Sequence, residues 1–294
     1  MSKNVVCFGE VLWDVLPTGK IAGGAPMNVA IRLQSLGIHA QLISRTGKDD
    51  AGTALKSILS QHHVTTALLQ EDEEMATGEV LVNLDTQGIA TYNIVYPSAW
   101  DKIVITDADR TAVQQAVAFI FGSLACRHEV SRNSLLELLT IAKYKIFDVN
   151  LRPPYYDIPF LELLMKQADF IKLNDEELII IATALGAPST DIENNIQFIA
   201  DRTNAKTICI TRGKDGAILF ADNKCWAHSG FTVKVEDTIG SGDSFLAALI
   251  TQLIAEKEYA IAVEYACAVG ALVAMHKGAN PVLKEEDIKQ LINK

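Results

Sequence analysis

A chain of 294 residues allows two average domains or one large α/β domain. Its composition, 49% hydrophobic and 21% charged, supplies enough apolar surface for a proper core and excludes disorder, collagen and coiled coil. Lys plus Arg number 26 against 36 Asp plus Glu, a formal charge of −10, so counterion-driven binding to nucleic acid or an anionic membrane is disfavoured and a small-molecule partner is expected.

In chain order, Val5 to Phe8 predicts a first strand, Met27 to Leu36 a helix, Ala40 to Ser44 a strand and Asp50 to Gln61 a helix. Gly78 to Asp85 and Thr91 to Tyr96 alternate apolar with polar residues around a turn rich in Thr, Gln and Gly, the pattern of an antiparallel hairpin with one exposed face. Such a hairpin is marginal alone, so it must pack on the main body, on a ligand or on another subunit. The βα alternation then resumes. Strands are expected at Ala116 to Phe121, Lys145 to Asn150, Asp169 to Leu173 and Thr207 to Thr211, and helices at Glu129 to Ala142, Asp175 to Leu185 and Asp191 to Arg202. A second hairpin, Gly216 to Asp222 with Cys225 to Ser229, precedes two consecutive helices, Ser241 to Ala255 and Glu258 to Met275. This predicts a single α/β domain over residues 1–294, a doubly wound, mostly parallel sheet with helices on both faces and a small β flap.

The longest uncharged stretch, Thr111 to Cys126, carries polar residues and is too short for a membrane span. Asn4 to Gly9 is too short for the apolar core of a secretory signal, and the five scattered cysteines form neither a disulfide framework nor a zinc knuckle. A cytoplasmic, reducing setting is expected.

Common nucleotide motifs are missing from the sequence. Each Gly-Lys pair lacks the following Ser or Thr of a P-loop, and Phe245 stands where a dinucleotide fingerprint needs its third glycine. The most informative stretch is Asp237-Thr238-Ile239-Gly240-Ser241-Gly242-Asp243, which opens an apolar helix. Glycines leading into a helix turn successive N–H groups toward one point, where the helix dipole adds positive potential, so the segment is an anion site by construction. A carboxylate at its mouth makes sense if Asp243 deals with the group attacking the anion, as a base does when an alcohol attacks a phosphoryl group. The alternative is a loop whose Asp or Ser merely caps the helix, and the heptad alone leaves both open.

A second stretch, Gly23-Gly24-Ala25-Pro26-Met27-Asn28-Val29-Ala30, pairs glycines that permit close backbone approach with an amide in the first helical turn, a face suited to hydroxyl groups. Upstream, Glu10 and Asp14 follow the first strand, where open α/β sheets place ligands; each taken alone reads as a solvated loop carboxylate.

These two stretches, with Leu36-Gly37, resemble the two signatures of the ribokinase-like sugar kinases, the phosphofructokinase B family, and the resemblance covers nearly the whole chain. Asn174-Asp175-Glu176-Glu177 is similar to the family's Asn-x-x-Glu element, and Thr211-Arg212-Gly213-Lys214-Asp215-Gly216 to its Thr-x-Gly-x-x-Gly nucleotide loop. The bacterial fructokinase subgroup is the nearest in pattern, through Gly9-Glu10, Trp13-Asp14, Ala25-Pro26-Met27-Asn28 and Asp148-Val149-Asn150-Leu151-Arg152-Pro153. One departure is Ser241, where the family usually has Ala; Ser keeps the backbone N–H.

The resemblance implies phosphoryl transfer from ATP to a sugar hydroxyl, with Asp243 as base and the N–H groups of Gly240, Ser241 and Gly242 holding phosphate charge. Asp14, Gly23, Gly24, Asn28 and Arg152 would bind the sugar, and Asn174, Thr211, Gly213 and Gly216 the nucleotide. Asn174 and Glu177 would help hold Mg²⁺ through water, and Asp237 would hold K⁺. It also implies a lid of about residues 11–24 and 78–104 that closes over the sugar and offers a homodimer contact. Fructose is the expected sugar, with ribose, 2-keto-3-deoxygluconate or a nucleoside as alternatives, the last because Trp13 offers a stacking surface. From another class, an inactive sugar-binding regulator would not need to keep Asp243, Asn174 and Glu177.

Overall fold

Apolar residues run unbroken through the first strand because both its faces are buried. In the computed structural model, which describes residues 3–17, 19–84, 90–203 and 205–294, Val6 and Phe8 face one core while Val5 and Cys7 face another. The first half of the chain forms β1 (Asn4–Phe8), β2 (Leu12–Leu16), β3 (Gly19–Gly23), α1 (Ala25–Ser35), β4 (His39–Gly47), α2 (Asp50–Gln61), β5 (Leu69–Asp72), β6 (Gly78–Leu84), β7 (Ala90–Ile94), α3 (Asp107–Gln115), β8 (Ala118–Gly122) and α4 (Glu129–Ile141). There follow β9 (Lys145–Asp148), α5 (Ile158–Gln167), β10 (Phe170–Asn174), α6 (Asp175–Ala184), α7 (Ile192–Thr203), β11 (Thr207–Thr211), β12 (Ala217–Ala221), β13 (Lys224–His228), α8 (Ser241–Ile254), α9 (Tyr259–Ala274) and α10 (Glu285–Ile292).

Among the described residues the main sheet has nine strands in the order β13-β12-β11-β10-β9-β8-β1-β4-β5, parallel from β11 to β5 and antiparallel at β12 and β13. Helices α3 to α7 contribute to the core on one face, and α1, α2, α8, α9 and α10 to the core on the other. The chain leaves β1 toward β4 and β5, then returns to β8 on the opposite side of β1. That reversal is the switch point at which open α/β sheets form a crevice beyond the strand ends.

A second sheet, β3-β2-β6-β7, stands apart from this one. Its two hairpins join through parallel pairing of β2 with β6, so the flap expected at Gly78 to Tyr96 gains a partner hairpin from the segment between β1 and α1. Of the turn expected between Asp85 and Thr91, rich in Thr, Gln and Gly, residues 85–89 lie outside the described residues, and Ala90 already begins β7. Segment 95–101 connects the small sheet to the main body around Arg127. The guanidinium donates to Asp101 through Nε at 2.7 Å and Nη2 at 2.8 Å, donates to the Val95 carbonyl at 2.6 Å, and lies 3.9 Å from the Trp100 ring centre. Tyr155 adds a bond from its hydroxyl to the Ile94 carbonyl at 3.1 Å.

Most expected elements fall where the periodicity puts them, and the β12–β13 hairpin closes on Asp222 and Asn223, whose φ values of 51° and 56° fit a twisted two-residue turn. Strands β2, β3 and β5 and helices α3, α5 and α10 were not expected. The strands are only four or five residues long, and within β2 and β3 most positions are partly buried or exposed, which blurs the alternation. Helix α3 is marked by a capping box, Thr106 with Asp109, rather than by an apolar stripe, and α5 by Asp157, whose side chain accepts from the Phe160 N–H.

Arg127 and Asp101 have side chains only 2% and 0% exposed, and removing one partner leaves the other charge buried. Asp101→Ala is therefore expected to cost about 3–5 kcal/mol of stability in chemical denaturation; a loss under about 1 kcal/mol would show that the pair does not anchor the small sheet.

Candidate active site

The site gathers at the carboxyl ends of the parallel strands, beside the β1/β8 switch point. Helix α8 begins there at Gly240, held in the left-handed region (φ 72°) against the loop after α9. A Cβ on Gly240 would come within 2.4 Å of the Ala279 Cβ, so both the turn and the contact require glycine. As first-turn residues of α8, Gly242 and Asp243 carry N–H groups without an intrahelical acceptor. The Ser241 N–H is turned back on the Thr238 carbonyl at 3.2 Å, and its hydroxyl donates to the Gly270 carbonyl at 2.9 Å. The serine side chain thus ties α8 to α9.

Asp243 faces α1, where Asn28 Nδ2 donates to its Oδ2 at 2.8 Å. Burial pushes the Asp243 carboxyl up to about 6, and the charge of Asp148 adds to this; Lys172, the Asn28 hydrogen bond and Arg152 pull the other way. Asn28 is itself buried, and its Oδ1 accepts from Asn280 Nδ2 at 2.8 Å.

The turn into α1 is equally specific. Gly24 has φ 107°, and a Cβ there would meet the Glu10 carbonyl oxygen at 2.5 Å, while a Cβ on Gly23 would come within 2.5 Å of Asp14 Oδ2. Asp14 sits on β2, and burial raises its pKa against the opposing charge of Arg152. Glu10 does not match the solvated loop carboxylate of the sequence reading. It is 4% exposed, its Oε1 accepts from the Ala25 N–H at 3.3 Å, and burial pushes it up to about 7. Arg152 is exposed, yet its charge acts on Glu10, Asp14 and Asp243 alike.

On the other side of Asp243, β10 and β11 end in the aligned pair Asn174 and Thr211. Asn174 caps α6: its Oδ1 accepts from the Glu177 N–H at 2.7 Å, and Glu177 Oε2 accepts from the Asn174 N–H at 2.8 Å. Glu177 Oε1 also accepts from the Leu151 N–H at 2.7 Å, so this buried carboxylate joins the loop after β9 to α6. Gly213 and Gly216 both have positive φ, and a Cβ on Gly216 would meet the His228 carbonyl oxygen at 1.9 Å. Asp237 bridges two loops, accepting from Ile239 N–H and Gly278 N–H, each at 3.0 Å.

Two further groups, Lys172 and Asn280, were not assigned roles by the sequence motifs. Lys172 Nζ, beneath the first turn of α8, lies 3.5 Å from where a Gly242 Cβ would stand and donates to Asp148 Oδ1 at 2.9 Å. Burial pulls the Lys172 ammonium down, but Asp148, Glu177 and Asp243 outweigh it and the net shift is upward. A lysine inside the apolar run Phe170-Ile171-Lys172-Leu173 was the available signal, since a charge in a doubly covered strand needs a partner. Asn280 had no such signal.

The structure thus sets a buried carboxylate at a glycine-rich helix start opposite an amide and further carboxylates. The pfkB family carbohydrate kinase profile matches residues 2–286. The chain belongs to the pfkB family of carbohydrate kinases. It is 30% identical to fructokinase-2 of Solanum lycopersicum, over 96% of this chain and 93% of that one, and 29% identical to the fructokinase of Salmonella typhimurium, over 96% and 97%. Its fold matches the crystal structure of Vibrio cholerae O395 fructokinase with fructose, ADP and calcium bound, at a TM-score of 0.84 and 26% identity over 99% of both chains. A double mutant of that enzyme, with fructose, ADP and potassium bound, matches at 0.84 and 25% over 99% and 98%. The ribokinase-like α/β fold of this kinase and its transferase class follow.

The raised Asp243 pKa works against folding at neutral pH. Protonation relieves the buried charge, so the penalty is absent below the unfolded value near 4, grows as pH rises toward 6 and is constant above it. Asp243→Asn is expected to raise Tm by about 2–6 °C at pH 8, with the gap closing below pH 4; a gap independent of pH would contradict a buried, strained carboxylate.

Proposed function

We propose that this carbohydrate kinase is a fructokinase that transfers the γ-phosphate of ATP to the 6-hydroxyl of fructose. The observation that carries the reading is Asp243, buried at the start of α8 and held by Asn28. In this reading the sugar hydroxyl lies between the Asp243 carboxylate and the γ-phosphate that the N–H groups at the start of α8 hold. In a loose phosphoryl-transfer transition state the carboxylate accepts the proton late, and a pKa near 6 makes it a better acceptor at neutral pH than an ordinary aspartate. The N–H groups of Gly240, Ser241 and Gly242 take up phosphate charge. The Ser241 N–H exchanges its Thr238 carbonyl for a phosphate oxygen, and Lys172 adds positive charge below. Asp14, Asn28 and Arg152 bind the sugar where Gly23 and Gly24 let the backbone come close, and Thr211, Gly213 and Gly216 shape the nucleotide loop.

Mg²⁺ fits as an ion that arrives with ATP. Among the described residues no cluster of three or more His, Cys, Asp or Glu forms a protein cage, and Asn174 and Glu177 already hold each other and Leu151, which suits contact through water. Bound there, the ion would neutralise phosphate charge. Asp237 fits K⁺ as well, because each of its oxygens takes one N–H and keeps a further lone pair. The small sheet with segment 95–104 serves as the lid over the sugar. Its exposed side, where Tyr92 is 68% accessible, supports a homodimer contact. Five free cysteines, four of them buried, fit the reducing cytoplasm, and no helix among the described residues is long and apolar enough to cross a membrane.

ATP consumption over fructose, ribose, 2-keto-3-deoxygluconate and adenosine tests the reading: fructose is expected to be best, and turnover to vanish on chelation of Mg²⁺. No turnover with any of the four would support a binding protein instead. Asp243→Asn is expected to lower kcat by about 10²-fold to 10⁴-fold, and more than a tenth of the rate remaining would remove Asp243 from the role of base. Asp14→Ala is expected to lower kcat/KM for fructose about 10²-fold with ATP affinity unchanged, because a site built for hydroxyls leaves its own groups unpaired.

A further inference from the structure

Asn280 lies in the loop after α9, and its backbone neighbours are pinned on both sides. The Gly278 N–H donates to Asp237 Oδ2 at 3.0 Å, Ala279 is packed against Gly240, and the Pro281 carbonyl accepts from Arg32 Nη2 at 3.0 Å. The side chain of Asn280 therefore starts from a fixed point, and its Nδ2 donates to Asn28 Oδ1 at 2.8 Å. A side-chain amide carries its acceptor and its donors on opposite branches. With Oδ1 engaged by Asn280, Asn28 must present Nδ2 to Asp243, and the hydrogen bond of 2.8 Å to Asp243 Oδ2 is the result.

Packing does not explain the amide at position 280. Its Oδ1 is buried without a hydrogen-bond partner among the described residues, a burden that an apolar side chain would avoid. Turned the other way, Asn28 would set its carbonyl oxygen against the Asp243 carboxylate and its NH₂ against that of Asn280, two repulsive contacts in place of two hydrogen bonds.

We propose that Asn280 is a positioning residue for the base: by holding Asn28 Oδ1 it fixes the amide in the orientation that donates to Asp243, keeping Oδ2 occupied and Oδ1 free for the sugar hydroxyl. The inference rests on Asp243 as the base. The Asn28 hydrogen bond favours the ionised carboxylate, so losing it moves the acid limb of the rate profile to higher pH. The other groups facing Asp243 stay in place in every variant: Asp148 at the end of β9, Lys172 on β10, Arg152 after β9 and Glu10 after β1.

The test is the pH profile of kcat, with the best sugar of the panel, for wild type, Asn280→Ala and Asn280→Asp. Asn280→Asp keeps the shape but can only accept from Asn28, so it reverses the amide. In both variants the acid limb is expected to rise by about half a pH unit or more and kcat at pH 7 to fall about 3-fold to 30-fold, with KM for ATP within about twofold. In an Asn28→Ala background, Asn280→Ala should change kcat by less than about twofold, because its effect runs through Asn28. Should Asn280→Ala prove unstable by Tm, the Asp variant decides through the same Asn28→Ala background, because its new charge acts on Asp243 with or without Asn28 whereas the amide reversal needs Asn28. An unmoved limb and rate in Asn280→Asp, or effects that multiply in the double variant, would overturn the inference. A wild-type profile with no acid limb would instead overturn the reading of Asp243 as base.

Discussion

The hydrogen bond between Asn28 and Asp243 joins residues 215 positions apart, and the site depends on the packing that makes it possible. Helix α1 lies against α8, and α8 against α9, on one face of the main sheet. Each helix start is fixed by glycine in a conformation that other residues enter at a cost: Gly24 before α1 and Gly240 before α8. The two N-termini thereby converge, and a carboxylate from one meets an amide from the other. Closer approach would require no different chemistry; a wider one would leave Asp243 buried without a donor.

Burying a carboxylate at this point is unfavourable, and the surrounding charges show how it is tolerated. Asp148 stands close enough to make the burden worse, and Lys172, bonded to Asp148, makes it lighter. Arg152 reaches Asp14, Glu10 and Asp243 through its charge while remaining exposed. The result is a group of three raised carboxylates around Arg152, while Glu177 and Asn174 satisfy each other at the start of α6. The proposed function uses the electrostatically strained group, in keeping with the way active sites hold groups that stability alone would not select.

The parts of this arrangement that were legible in the sequence are those whose backbone demands a rare residue. Gly23-Gly24 and Gly240-Ser241-Gly242-Asp243 stand out because glycines before a helix mark a close approach or a left-handed turn, and the doubly buried strands stand out as apolar runs. Glu10 was misjudged because loop carboxylates are usually solvated, and only the approach of α1 shows that this one is covered. Lys172 left a trace, a charge inside an apolar strand, whereas Asn280 left none: its role comes from a partner 252 positions away. The short strands β2, β3 and β5 were hidden for a related reason. Partly exposed on a small or marginal surface, they carry too few buried residues to print a period on the chain.

The fold holds Asp243 as a buried carboxylate whose affinity for the proton is raised. A direct measurement is the titration of its ¹³C-labelled carboxyl by NMR, with the resonance assigned by its loss in Asp243→Asn. The expected midpoint is about 6 in the absence of substrate. A midpoint near 4, the ordinary aspartate value, would contradict it.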